Sequence, residues 1–306
     1  MHYTLFMDSV DLAIIKLLIS NGRASYSSIA RSVGLSTSSV IARVNNMLKE
    51  GIIDRFLARI NLASLGYRVI HIIVKHDGNE HELIKRLGSI GYVFMIVTCL
   101  GDFSVFALAV NKEAHSRSNK GYHALLEQYI KPNRILYITA VKARPKRLVY
   151  NDLRIMKYLT KDPRAKVKDI ARELGISIKT VERRLSRMIK DDIIKFTIII
   201  NPSLKNFINF IMVIRVSNSN NNNNITSSIE GLENILSNNL LMPLIHASCD
   251  TLVAVLHAYN TDEINMLLKR VKVLEGVKDV EFFIVQKIVS DDCSKLIDEI
   301  ILNSKK

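Results

Sequence analysis

The chain has 306 residues and carries 43 Lys and Arg against 29 Asp and Glu, a formal charge of +14. That length exceeds one small core, and the excess charge favours a polyanionic partner, nucleic acid ahead of an anionic membrane. Cys99, Cys249 and Cys293 are far apart with no CxxC pair, which argues against a disulfide scaffold and fits a reduced interior where thiols act as small apolar groups.

The first helix is expected to begin near Asp8, with Leu12, Ile15, Leu18 and Ile19 at helical spacing, and to end at Asn21-Gly22. A second should run from about Ser27 to Val33. Gly34 supplies a tight turn, and Ser36 is a natural N-cap for a third helix reaching about Glu50, which Gly51 stops. Val40, Val44, Met47 and Leu48 form its apolar stripe. The period then changes to two. Strands are expected over Phe56–Ile60, Val69–Val74, about Tyr92–Leu100, Ser104–Val110 and Ile135–Val141, with helices over His81–Ile90 and about Lys112–Ile130. The order β-α-β-β-α-β is that of a ferredoxin-like domain.

The pattern then repeats. Shifted by 141 positions, residues 11–53 fall on 152–194 without a gap: Asp11 on Asp152, Arg23 on Arg164, Gly34 on Gly175, Ser36 on Ser177, Arg43 on Arg184, Met47 on Met188. Helices are predicted around Ile155–Leu159, over Lys168–Leu174 and over Ile178–Lys190, the last burying Val181, Leu185, Met188 and Ile189. Strands follow near Phe207–Val216, Leu241–Ala247, Leu252–Ala258 and Val280–Val289, with helices near Thr226–Ser237, Thr261–Leu274 and Asp291–Leu302. The asparagine-rich run through Asn224 reads as a surface loop. The expected fold class is α+β, two winged-type helix-turn-helix domains alternating with two ferredoxin-like βαββαβ domains. Boundaries are set at 1–60, 61–143, 144–200 and 201–306.

Charge is uneven. Residues 151–195 hold 13 basic and 7 acidic side chains, whereas 196–306 hold 10 basic and 12 acidic. The third helices are the candidate DNA readers, because a helix fits the major groove and its early residues reach base edges. In the first copy the candidates are Thr37, Ser38, Ser39, Arg43 and Asn46. In the second they are Lys179, Thr180, Arg183, Arg184 and Arg187, with Lys179, Arg183 and Arg187 four apart on one face. Lys142, Arg144, Lys146 and Arg147 make a basic linker able to follow phosphates.

The motifs Asp11-x-x-Ile-x-x-Leu, Val33-Gly34-Leu35-Ser36, Arg43-Val44, Glu50-Gly51-Ile52-Ile53 and Leu65-Gly66, followed by the sheet order, resemble the leucine-responsive regulatory protein/AsnC family of transcription regulators, present as two tandem copies. The resemblance implies DNA as partner, sheet domains that pair as an intramolecular pseudo-dimer or a homo-oligomer, and a small-molecule effector such as an amino acid. Gly101-Asp102-Phe103 matches the family's Gly-Asp-aromatic turn, so the effector is expected there. Cys249-Asp250-Thr251 departs from that turn, and Asp191-Asp192 replaces the Glu-Gly after helix three.

Enzyme chemistry is not expected. There is no Gly-rich phosphate loop and no persuasive Ser/His/Asp or Cys/His set. His71 and His76, five apart on a strand, face opposite ways. His246 and His257 could approach on neighbouring strands, but no Cys or carboxylate completes a set at ligand spacing, so neither metal nor cofactor is foreseen. Siroheme decarboxylases resemble the same fold without a DNA role, but usually carry a His/Arg-rich pocket near a Tyr-Asn-Leu-Trp-like strand, which this Trp-free chain lacks. An architectural DNA-binding protein without sequence preference is a further alternative. His71, Asp102 and Arg215 interrupt the most apolar stretches, and there is no basic-then-apolar leader, so the chain reads as cytoplasmic with no membrane partner.

Overall fold

The computed structural model describes residues 7–111, 126–131, 133–141, 144–202, 208–217, 222–247 and 250–303. Lys142, Cys249 and most of the helix expected over 112–130 lie outside the described residues.

The first helical unit comprises α1 (Ser9–Ser20), α2 (Tyr26–Val33) and α3 (Thr37–Lys49). Each start has its own cap. Asp8 and Asp11 form a capping box on α1, Ser25 accepts from the Ser28 amide on α2, and Ser36 accepts from the Ser39 amide at 3.1 Å on α3. Gly34 takes the left-handed conformation (φ 69°) that lets α2 end and the chain turn into α3. Val40, Val44 and Met47 are buried against Ile14, Ile15 and Leu18. Each such burial stabilises the unit by roughly 1.5–3 kcal/mol.

The second unit repeats this with α5 (Tyr150–Lys161), α6 (Val167–Leu174) and α7 (Ile178–Lys190). Gly175 (φ 63°) and Ser177, which accepts from the Thr180 amide, take the places of Gly34 and Ser36. Asp192 adopts φ 56° where the first copy has Gly51 at φ 70°. Ile189, expected in the core, is 46% exposed, because Val181, Leu185 and Met188 already fill the buried stripe.

Strands β1 (Ile53–Ile60) and β6 (Ile194–Ile200) leave α3 and α7 and pair antiparallel with each other, Leu57 opposite Thr197. This two-stranded ribbon is shared by both cores: Ile198 and Ile200 pack into the first helical unit, Ala58 and Ile60 into the second. After a short 3-10 turn (Leu62–Leu65) come β2 (Tyr67–Lys75), α4 (Glu80–Gly88), β3 (Tyr92–Cys99), β4 (Phe103–Asn111), helical residues 126–130 and β5 (Arg134–Val141). The second copy supplies β7 (Ile208–Val216), α8 (Asn222–Leu236), β8 (Ile245–His246), β9 (Thr251–Ala258), α9 (Thr261–Lys272) and β10 (Val277–Ser290), then α10 (Ser294–Asn303).

Each set of four strands has the ferredoxin-like order, and β3 pairs antiparallel with β10 to give one eight-stranded sheet, β5-β2-β4-β3-β10-β7-β9-β8. The helices cover one face of each half. The other faces meet: Ile73, Val97 and Val105 of the first half share a cluster with Ile211, Val213 and Phe283 of the second. Two further expectations need correction. The strand foreseen over Leu241–Ala247 shrinks to two residues plus a lone bridge between Leu240 and Leu256, since Pro243 has no amide for a ladder. Asn222–Asn224 lie in α8 rather than in a loop. Among the described residues, no helix is long and apolar enough to cross a membrane.

Candidate nucleic-acid interface

The third helices present one face to the core and one to solvent. At the boundary sit arginines that the fold uses itself. Arg43 donates from Nη1 to Oδ2 of Asp8 and to Oδ1 of Asp11, both at 2.8 Å. Hydrogen bonds to Asp11 and then Asp8 hold the guanidinium above its usual range. Partial burial raises the Asp8 carboxyl, but the Asp11 amide and Arg43 outweigh that and keep it below the usual carboxylate value. In the second copy Arg184 and Arg187 both reach Asp152, at 3.2 and 2.6 Å, and Arg187 also donates to the Arg147 carbonyl. Asp11 and Asp152 are the same position in the two copies and both are buried.

Arg43, Arg184 and Arg187 therefore tie helix three to helix one through these ion pairs. Helical spacing alone places Arg187 on the open face with Lys179 and Arg183. It turns instead to a buried carboxylate, which attracts a guanidinium more strongly than water does. The signal is present in the sequence, because the Asp and the Arg recur together, 32 residues apart, in both copies.

The remaining candidates stand on the open face. Thr37, Ser38, Ser39 and Asn46 are exposed on α3, as are Ile41, Ala42 and Asn45. Ser38 and Ser39 share the Ser36 hydroxyl at 2.9 and 2.8 Å, which folds them over the helix start. On α7, Lys179 and Arg183 are exposed and, among the described residues, held in no ion pair. Thr180 is half-buried and bonds Ser177 Oγ at 2.8 Å. Backbone amides at the start of each helix add a partial positive charge beside these side chains, which suits a phosphate oxygen.

The two units are fixed to each other. Arg23 donates to the carbonyls of Pro163 and Ala165 at 2.7 and 2.8 Å, and Arg164 donates to those of Gly22 and Ala24. Arg164 also lies over the rings of Tyr26 and Phe56, and Arg23 over Phe196. The Gly22 amide bonds the Phe196 carbonyl at 2.8 Å. A Cβ at Gly22 would sit 2.6 Å from the Thr197 carbonyl oxygen, so this glycine serves close approach between the units.

Arg144 and Lys146 of the linker are pinned through their amides to the carbonyls of Ala63 and Ser64, both at 2.8 Å, while their side chains and that of Arg147 are exposed. Gly101 (φ 78°) and Asp102 (φ 61°) are two of the three residues that join β3 to β4, and both take the left-handed conformation. The Asp102 carbonyl accepts from the His76 amide, and Phe103 packs edge-on against Phe283 at 5.2 Å across the two halves. Beside this turn, Glu80 accepts from the hydroxyls of Thr98 and buried Ser104, and Ser104 meets His76 Nε2. No sequence signal marks that cluster. Burial pushes the Cys99 and Cys293 thiols up to about 12, which leaves them inert. Among the described residues, no group of His, Cys, Asp and Glu is placed to hold a metal ion.

The AsnC-type helix-turn-helix domain matches residues 7–48, and a winged helix-turn-helix DNA-binding domain matches residues 148–195. A helix-turn-helix-type transcriptional regulator of Pyrococcus horikoshii is 45% identical over 109 residues, 35% of this chain and 69% of that protein. The regulatory protein AsnC of Haemophilus influenzae is 32% identical over 103 residues, 33% of this chain and 69% of that protein. Among solved structures, a siroheme decarboxylase in complex with an iron-uroporphyrin III analogue superposes over 97% of this chain and 99% of its own, with a TM-score of 0.54 and 14% identity. At that identity the likeness is one of fold.

Proposed function

The chain belongs to the AsnC family of DNA-binding transcription regulators, and from that premise we propose that one polypeptide carries two linked readers of double-stranded DNA. Thr37, Ser38, Ser39 and Asn46 on α3, with Lys179, Thr180 and Arg183 on α7, lie toward the duplex. Arg144, Lys146 and Arg147 follow its phosphates. The observation that carries this reading is the open face of the two third helices, held in one frame by Arg23 and Arg164. The paired sheets act as the scaffold of an intramolecular pseudo-dimer. On this reading the chain acts in the cytoplasm by binding rather than by catalysis.

Base selection needs contacts beyond phosphates. Anisotropy titrations against specific and scrambled duplexes test it: the account expects tighter binding to the specific duplex at both low and moderate salt. Equal affinity would leave an architectural, sequence-blind protein.

A small-molecule effector belongs at the Gly101-Asp102-Phe103 turn, where the exposed Asp102 carboxylate would meet an amine. A stabilising amino acid should raise the melting temperature and lose that effect in Asp102→Ala. A ligand that depends on Asp250 instead would reverse the assignment.

The siroheme decarboxylase fold likeness favours one second reading, tetrapyrrole chemistry. A porphyrin absorbance band that co-purifies with the chain, or appears on titration with an iron-uroporphyrin, would support it over DNA reading.

A further inference from the structure

The two copies agree where the fold needs them and differ where the duplex would lie. On the inner side of the third helices, Ser36 matches Ser177, Val40 matches Val181, Arg43 matches Arg184 and Met47 matches Met188. The serines cap, the valines and methionines pack, and each arginine pairs with the aspartate 32 residues before it. On the outer side the residues differ: Thr37 against Ile178, Ser38 against Lys179, Ile41 against Glu182, Ala42 against Arg183, Asn45 against Ser186. The frame around them is reciprocal. Arg23 and Arg164 exchange contacts 141 positions apart, the Asn61 amide bonds the Ile193 carbonyl and the Asn201 amide bonds the Ile52 carbonyl. Between them β1 and β6 run antiparallel. Symmetry of the frame with asymmetry of the faces has a direct consequence, because an operator mirrors the symmetry of the faces that read it.

We propose that the two readers of one chain recognise a non-palindromic DNA site with two unlike half-sites in inverted orientation. The proposal rests on the DNA-reading role of α3 and α7. The chemistry of each face says what each half-site holds. Arg183 offers a fork for guanine O6 and N7, and Glu182 an acceptor for the cytosine amino group, so the half-site under α7 contains a G·C pair. Asn45 offers a donor and acceptor pair for adenine, and Ile41, 38% exposed, an apolar contact for a thymine methyl, so the half-site under α3 leans to A·T.

The test is selection of bound duplexes from a random pool by the full-length chain. It is repeated with T37I/S38K/I41E/A42R/N45S, which gives α3 the outer face of α7. The wild-type chain should enrich two unlike blocks about one helical turn or a multiple apart. Exchanging the blocks' key bases should cost about ten-fold or more in affinity. The variant should enrich an inverted repeat of the G·C-bearing block. A palindrome selected by the wild-type chain, a single block, or a motif unchanged by the face exchange would overturn the proposal. If the wild-type chain enriched nothing, DNA reading itself would fail and the proposal with it. Should the variant not fold, the wild-type motif alone decides between unlike and like half-sites.

Discussion

Arg23 and Arg164 hold the same position in the two halves of the chain, and each guanidinium grips the loop on which the other stands. Arg23 bonds the carbonyls on either side of Arg164, and Arg164 bonds those on either side of Arg23. Burial, and then the nearby Arg164, draw the Arg23 guanidinium below its usual range, a sign that two cations are held together by the carbonyls between them. The contact joins the two helical units directly, independently of the paired sheets below.

Arg23→Ala and Arg164→Ala should each lower stability by about 2–3 kcal/mol, since each removes two hydrogen bonds from a charged donor. Lysine at either place should not restore the loss, because one ammonium does not span two carbonyls as a planar fork does. Urea unfolding of the full chain checks both.

The arginines of helix three should separate into two classes. Asp152→Ala leaves Arg184 and Arg187 without their buried partner and should cost roughly 1–3 kcal/mol of stability, since both guanidiniums keep access to water. Lys179→Ala and Arg183→Ala should each leave stability within about 0.5 kcal/mol. Yet Lys179→Ala should flatten the salt dependence of DNA binding by about 0.9 for the phosphate no longer neutralised, and Arg183→Ala should lower affinity for the selected site. Unfolding curves and salt titrations on the same proteins distinguish the classes. A salt dependence unchanged in Lys179→Ala, together with undiminished affinity in Arg183→Ala, would remove α7 from the interface.

Gly22→Ala should destabilise by about 1–3 kcal/mol, the usual penalty for forcing atoms into a packed seam. The obstacle is backbone, at 2.6 Å from the Thr197 oxygen and 2.8 Å from its nitrogen. Gly34→Ala meets no atom within 4 Å and should suffer only from its left-handed backbone, by about 1–2 kcal/mol. Thermal melts of the two variants compare space with conformation.

Acid should weaken the fold before the carboxylates titrate. Burial, then the Arg59 charge, lower His71 to about 4, and burial, then the Lys16 charge, lower His257 to about 4. Both imidazoles stay neutral in the folded chain where the unfolded chain is protonated. The unfolded state therefore binds more protons between about pH 6.5 and 4, and stability falls as pH drops through that window. Each contributes up to about 3 kcal/mol across it. Melting temperatures from pH 7.5 to 4.5 test this, and His71→Leu should remove part of the slope.

Much of this is legible in the sequence, for reasons that differ by element. The helix-turn-helix units announce themselves through caps and left-handed glycines, which are local: Ser36, Ser177, Gly34 and Gly175 all do what their residue types suggest. The strand orders follow from alternation. Pairing of the sheet domains is implied by the family resemblance, but the contacts between the two helical units are not legible. Tandem repeats suggest separable halves, whereas β1 of the first copy pairs with β6 of the second and each core borrows from both strands. No local pattern announces that exchange. The open faces mislead for a related reason. Charge at helical spacing does not say whether a guanidinium meets water or a buried carboxylate, so Arg184 and Arg187 look like Lys179 and Arg183 until Asp152 comes into view.

The central claim, two readers held in one frame by a single chain, is tested most directly by hydroxyl-radical footprinting of the full chain on the DNA it selects. The account predicts two protected windows on one side of the duplex, about one helical turn or a multiple of it apart. Arg183→Ala should weaken protection of one window and spare the other. Uniform protection along the duplex, a single window, or loss of both windows from a folded Arg183→Ala chain would contradict it.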